Sequence, residues 1–117
     1  MAIAYRNGNS GGNGTGTDVV VTKPTGTVDN DILVAVLYRE AGTWTLPSGW
    51  SWLITDYKAN SFNAWIAVAW KRASSEGSSY TFQLDTSTWR VVSVGAFSGA
   101  TTSGNPFDAS QSSNAPV

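Results

Sequence analysis

The chain has 117 residues, no cysteine and no histidine, and only 13 % charged residues, with a formal net charge of −1. That composition excludes a disulfide scaffold, a thiolate metal site and the usual general base at neutral pH, and it offers no basic stripe for a nucleic-acid backbone. One domain spanning 1–117 is expected, long enough to bury roughly two-thirds of its unfolded surface.

The opening MAIAY reads as a short edge strand, and NGNSGGNGTGT (7–17) reads as a flexible loop, so that 6–17 is expected to be a Gly/Asn-rich loop or arm. DVVVTKP (18–24) is β-branched and ends at a proline that cannot donate to a ladder. Turn residues in TGTVDND (25–31) lead into DILVAVLYR (31–39), which is apolar on both faces: Ile32, Val34, Val36 and Tyr38 on one, Leu33, Ala35 and Leu37 on the other. A strand of that kind belongs in the centre of a covered sheet. TWTL is a short strand before the PSG turn, and WSWLITDY (50–57) is the next strand. FNAWIAVAWKR (62–72) sets Ala64, Ile66, Val68 and Trp70 against Trp65, Ala67 and Ala69. After the polar ASSEGSS (73–79), YTFQL (80–84) alternates cleanly, and TWRVVSVGAFSG (88–99) is another buried strand. The tail 100–117 is polar and turn-rich.

Seven to eight short strands and no substantial helix predict an all-β antiparallel sandwich, jelly-roll-like. The opening residues lack the charged region and long apolar run of a secretory signal, and no stretch approaches the ~20 apolar residues of a membrane span. The expectation is a protein made in the cytoplasm, with neither membrane nor nucleic acid as partner. A surface of Ser, Thr, Asn and Gly suits packing beside copies of itself.

Catalytic constellations are missing from the pattern. Glu40 and Glu76 are the only glutamates and both fall in turns, and Ser48, Ser98 and Ser110 have no histidine to activate them. The Asp29-Asn30-Asp31 triplet offers oxygen ligands for calcium, but nothing nearby completes the six to eight that the ion requires, and a turn entering a strand is the simpler reading. Asn13-Gly14-Thr15 matches a glycosylation sequon, by chance in a loop of that composition. No enzyme and no cofactor are therefore expected.

Three segments together resemble a family of β-sandwich domains found in tailed-phage virion proteins and some bacterial surface proteins: TKPTGTVDNDILVAVL, TLPSGWSWLITD, and AWIAVAWKRASSEGSSYTFQLDTSTWRVVSVGAFSGATTSGNPFDAS. The resemblance implies a virion structural role, as head decoration or cement or as a tail component, in a symmetric homo-oligomer. It also implies further strands after NPFDAS, beginning near Ala115-Pro116-Val117. The alternative is a carbohydrate- or host-receptor-binding module that stacks a surface glycan on exposed tryptophans.

Trp50, directly after PSG, reads as a core aromatic that closes the turn, and Trp70 also reads as core. Trp52 is the more exposed of the Trp50/Trp52 pair, because the family usually has a small or polar residue there. Trp44 and Trp89 flank loops, Tyr5 lies in the opening segment expected to reach a neighbouring subunit, and Arg72 ends a strand where a partner's rim can be met. Trp44, Trp52, Trp89, Tyr5 and Arg72 are thus the candidate contacts to a partner or a sugar.

Overall fold

Every stretch of alternating or continuous apolar residues becomes a strand in the computed structural model, which describes residues 2–58 and 63–107. The strands are β1 (Ala4–Gly16), β2 (Val19–Thr22), β3 (Ile32–Arg39), β4 (Trp44–Thr45), β5 (Ser51–Lys58), β6 (Trp65–Arg72), β7 (Ser79–Leu84) and β8 (Thr88–Ser98), with no helix among the described residues. They form a five-stranded sheet in the order β1-β8-β3-β6-β5 and a three-stranded sheet in the order β2-β7-β4. Every strand pair is antiparallel. The all-β sandwich read from the sequence is the observed architecture.

The doubly apolar β3 lies at the centre of the larger sheet, as its composition requires. Leu33, Ala35 and Leu37 on β3, Ala67 and Ala69 on β6, and Val92, Val94 and Ala96 on β8 face inward. They share one core with Val19, Val21, Tyr80, Phe82 and Leu84 of the smaller sheet and with Trp44 and Trp50. The small alanines of one layer leave depth for the rings of the other, so the two layers fill the interior by complementary size. Trp50 packs edge-on against both Tyr80 and Phe82, each at 5.3 Å between ring centroids.

The segment 6–17 corrects the sequence reading: it is not a loop or arm but most of the thirteen-residue strand β1. β1 pairs with β8 from Ala4 opposite Ser98 to Gly16 opposite Thr88. Glycines depress strand propensity, and this strand forms because its neighbour compensates. Arg90 on β8 donates from Nη1 to the carbonyls of Gly12 (2.8 Å) and Gly14 (2.9 Å), from Nε to Thr17 (2.9 Å) and from Nη2 to Asp18 (3.2 Å). The register slips between Gly11 and Gly14, where Gly12 and Gly14 take φ of 96° and 129°. A side chain at either would be strained there, so glycine is what permits the bulge. Asn9 donates from Nδ2 to the Thr22 and Lys23 carbonyls and ties β1 to β2. This contact joins the two sheets along one side of the sandwich.

The opposite margin is blunted. β5 meets β6 with two register irregularities, one between Trp52 and Ile54 and one between Ile54 and Tyr57. β4 has only two residues. Bulged and very short edges are poor templates for another strand. The expected strands beyond NPFDAS fall on residues outside those described.

Candidate interaction surface

The outward faces of the two sheets differ sharply in chemistry. On the smaller sheet the outward positions are Val20 opposite Thr81, Thr22 opposite Ser79, and Thr45 opposite Gln83, an almost wholly polar face suited to water. On the larger sheet the register sets out three consecutive outward rows. The first runs Gly8, Gly95, Val34, Trp70 and Ser51, the second Ser10, Ser93, Val36, Val68 and Ile54, and the third Val91, Tyr38, Ile66 and Tyr57. No charged side chain stands in these rows. The charged residues of the same strands lie on the other parity or at the rim: Arg39 and Lys71 face inward, and Arg72 ends β6 opposite Ile32.

Several of these apolar groups are open to solvent. Val36 is 44 % exposed and Ile66 39 %, with Tyr5 (64 %), Ile3 (59 %) and Trp89 (47 %) at the margins. A contiguous apolar face of this kind marks an interaction site far more often than scattered exposed hydrophobics do.

The face has a low side and a high side. On β1 and β8 the outward positions are Gly8, Gly95, Ser10 and Ser93, and together with Tyr5, Val34, Val36 and Phe97 they outline an open depression of ≈ 590 Å³. Tyr5 and Phe97 close one end, edge to face at 5.6 Å. Both rings lie over glycine backbone: a Cβ on Gly8 would sit 2.7 Å from Tyr5 Oη, and one on Gly95 3.3 Å from Phe97 Cε1. On β6 and β5 the outward positions are the small Ser51 and the larger Trp70, Val68, Ile66, Ile54 and Tyr57.

After β8 the chain crosses one end of this face. A second, mainly apolar cavity of ≈ 260 Å³ lies between Ile3, Ile32, Val34 and Phe97 on one side and Ala100, Pro106 and Phe107 on the other. Phe107 packs edge-on against Trp70 at 5.5 Å.

The five candidate contacts separate. Tyr5 and Trp89 are exposed on the outward face of the larger sheet, where their strand partners are Phe97 and Thr15. Trp44 is a correction: it is 5 % exposed and belongs to the core, because the two residues of β4 turn its ring in beneath β7. Trp52 is half-buried against that core, opposite the inward-facing Ala69. Arg72 stacks its guanidinium over the Trp70 ring at 5.8 Å and donates to the Thr101 and Gly104 carbonyls, so it fastens the segment after β8 to the sheet. Trp70, read as core, points outward, because the small Ala67 and Ala69 occupy the inward parity of β6. Trp50 is core as expected.

The polar groups outside the face serve turns and strand ends. Asp31 accepts from Arg6 at 2.6 and 3.0 Å and from the Val28 N–H, and Asp29 accepts from the Ser75 N–H. The hydrogen bond to Asp31 holds the Arg6 guanidinium above its ordinary value. Arg39, 5 % exposed, reaches Asp56 at 2.8 Å and the Gly42 carbonyl at 2.6 Å, and lies over the Trp65 ring. Glu40 accepts from the Tyr38 hydroxyl, while Glu76 accepts from Lys71, Tyr80 and the Ser74 N–H, so the two glutamates do not converge on a shared partner. No group of three or more acidic residues able to hold a metal occurs among the described residues.

Comparison with models of protein families, with curated proteins and with solved structures found no match. A functional reading therefore rests on the chemistry of the surface and on the resemblance of its sequence segments.

The apolar rows were partly legible beforehand, since Ile32, Val34, Val36 and Tyr38 share a parity in the sequence. What sequence reasoning missed was that this parity is open to solvent at its middle, where Val36 is exposed. The Gly/Ser side of the face was hidden in a segment read as loop.

Proposed function

We propose that this chain is a non-enzymatic structural protein of a tailed-phage virion, in head decoration or in the tail, that works through protein–protein contacts. The observation that carries the assembly part of this reading is the uncharged apolar outward face of the larger sheet, set against the polar outward face of the smaller one. Burying apolar area stabilises association by about 25 cal/mol per Å² before ordering costs. The virion part rests on the sequence resemblance. The contact is made by the sheet face rather than by strand addition, since β5 is bulged and β4 is short.

A carbohydrate-binding role is the second reading, favoured by the exposed Trp89. Of the three tryptophans expected to form a stacking platform, Trp44 is in the core and Trp52 lies against it. Tyr5 and Trp89 share a face, but Trp89 lies eight residues along β8 from Phe97, the partner of Tyr5, or roughly 26 Å along a strand. A single sugar ring cannot touch both.

Antibody labelling of purified particles of the source virus tests the reading. Label spread over heads or confined to tails supports it and assigns the location. Particles that carry none of the chain would overturn the virion role, and glycan-dependent quenching of tryptophan fluorescence would then favour the binding module.

A further inference from the structure

The second of the outward rows is lopsided about β3. Across Val36, Ser10 and Ser93 on one side are matched by Ile54 and Val68 on the other. In that row the β1–β8 half is low and the β6–β5 half is high, with β3 as the middle strand of five. A two-fold axis lying in the plane of the face along β3 exchanges the two halves. Under that operation Ser93 of one copy comes opposite Val68 of the other, and Ser10 opposite Ile54. The same two pairs recur on the far side of the axis. Isologous interfaces need this self-complementarity.

We propose that the outward face of the five-stranded sheet docks against the same face of a second copy of this chain, about a two-fold axis along β3. The proposal rests on the assembly reading above and names its first partner. Charge favours a like copy, because rows without formal charge can meet themselves with no repulsion and offer nothing to a charged partner. Size fits as well. Five strands about 4.8 Å apart, over the roughly six residues of about 3.3 Å rise that the segment after β8 leaves open, cover roughly 480 Å² in plan. The corrugated surface and the marginal Trp89 raise that towards the low end of specific interfaces, the size of a pair that dissociates on dilution. Two faces of this kind pack with their strands within about 30° of each other.

Val36 lies close to the axis and therefore close to its own copy, which makes the proposal sharply testable. Sedimentation velocity of the full chain over a range of concentrations should show a species of twice the monomer mass that dissociates on dilution. Val36→Lys and Val36→Glu should each raise the dissociation constant about 100-fold or more, since like charges are then juxtaposed. An equimolar mixture of the two should restore the pair. Ser93→Trp, which fills the low half from an exposed position, should dissociate it too, with circular dichroism confirming that each variant keeps its fold. Oxidative footprinting of the unaltered chain gives an independent reading: Tyr38 should be protected as concentration rises.

A chain that is monomeric at every concentration overturns the proposal and assigns the face to a different protein. So does a dimer that survives both Val36 variants, or one that assembles beyond a pair. Particles carrying a chain that is monomeric when free would overturn the self-pairing alone. A dimer in solution with no chain on particles would overturn the virion reading alone.

Discussion

Trp50 meets Phe82 edge to face, with ring centroids 5.3 Å apart and planes at 69°. Trp50 directly precedes β5 of the larger sheet, and Phe82, fully buried, belongs to β7 of the smaller one. The contact is therefore a bolt between layers. Trp50→Ala should lower stability by about 3–5 kcal/mol, the range for emptying a buried aromatic site, as read from urea unfolding. Trp50→Phe should cost distinctly less, because the indole Nε1–H has no hydrogen-bond partner among the described residues. Equal losses in the two variants would contradict this account of the core.

Arg90 supplies the hydrogen bonds that make a strand of a glycine-rich sequence. Hydrogen bonds to charged groups contribute about 1.5–3 kcal/mol, and this guanidinium makes four of them to the carbonyls of Gly12, Gly14, Thr17 and Asp18. Arg90→Met should cost about 2 kcal/mol or more overall. Amide exchange should rise across 11–18, while the Ala4–Ser98 end of β1 stays protected. Uniform loss of protection along β1 would show that Arg90 is not what holds that half.

Most of the sandwich was legible because β2, β3, β7 and β8 carry strong β-branched or aromatic alternation, and turns rich in Gly, Asn and Asp separate them. β1 was not, because its stabilisation comes from Arg90, some seventy residues away, and from a bulge in which Gly12, Asn13 and Gly14 all take positive φ. Parity alone could not place the tryptophans either. Trp44 and Trp70 each follow the correct alternation, but which parity faces inward depends on the opposite layer. On β6 the alanines occupy the interior because the rings of Trp50 and Phe82 already fill it.

Stability should fall at both extremes of pH through one cluster. Burial pushes the Glu76 carboxyl up, but hydrogen bonds from the Ser74 N–H, Lys71 and Tyr80, with the nearby Lys71 charge, outweigh it and hold the group below its ordinary 4.5. Below about pH 4.5 the unfolded chain then binds more protons than the native one, so stability is lost as pH falls through the lowered value. Tyr80 is displaced the other way: burial first, then the hydrogen bond to Glu76, raise its phenol well above 10.0. Above pH 10 the native state keeps a proton that the unfolded chain releases, so stability falls as pH rises. Tyr80→Phe should flatten the alkaline limb of a denaturation–pH profile, and Glu76→Gln part of the acid limb. An unchanged alkaline slope in Tyr80→Phe would contradict the assignment.

Thiol protection reports whether the proposed contact surface, the outward face of the larger sheet, is covered on assembly. The chain has no cysteine, so each introduced thiol is unique. Val36→Cys lies on that face and Val20→Cys on the outward face of the smaller sheet; the native valines are 44 % and 59 % exposed. Under reducing conditions both thiols should react readily with a maleimide in the dilute chain. In the assembled state the thiol at position 36 should react at least about tenfold more slowly, as burial in an interface core requires, and the one at position 20 at its free rate. Equal reactivity at position 36 in both states, or protection at position 20 instead, would contradict the account.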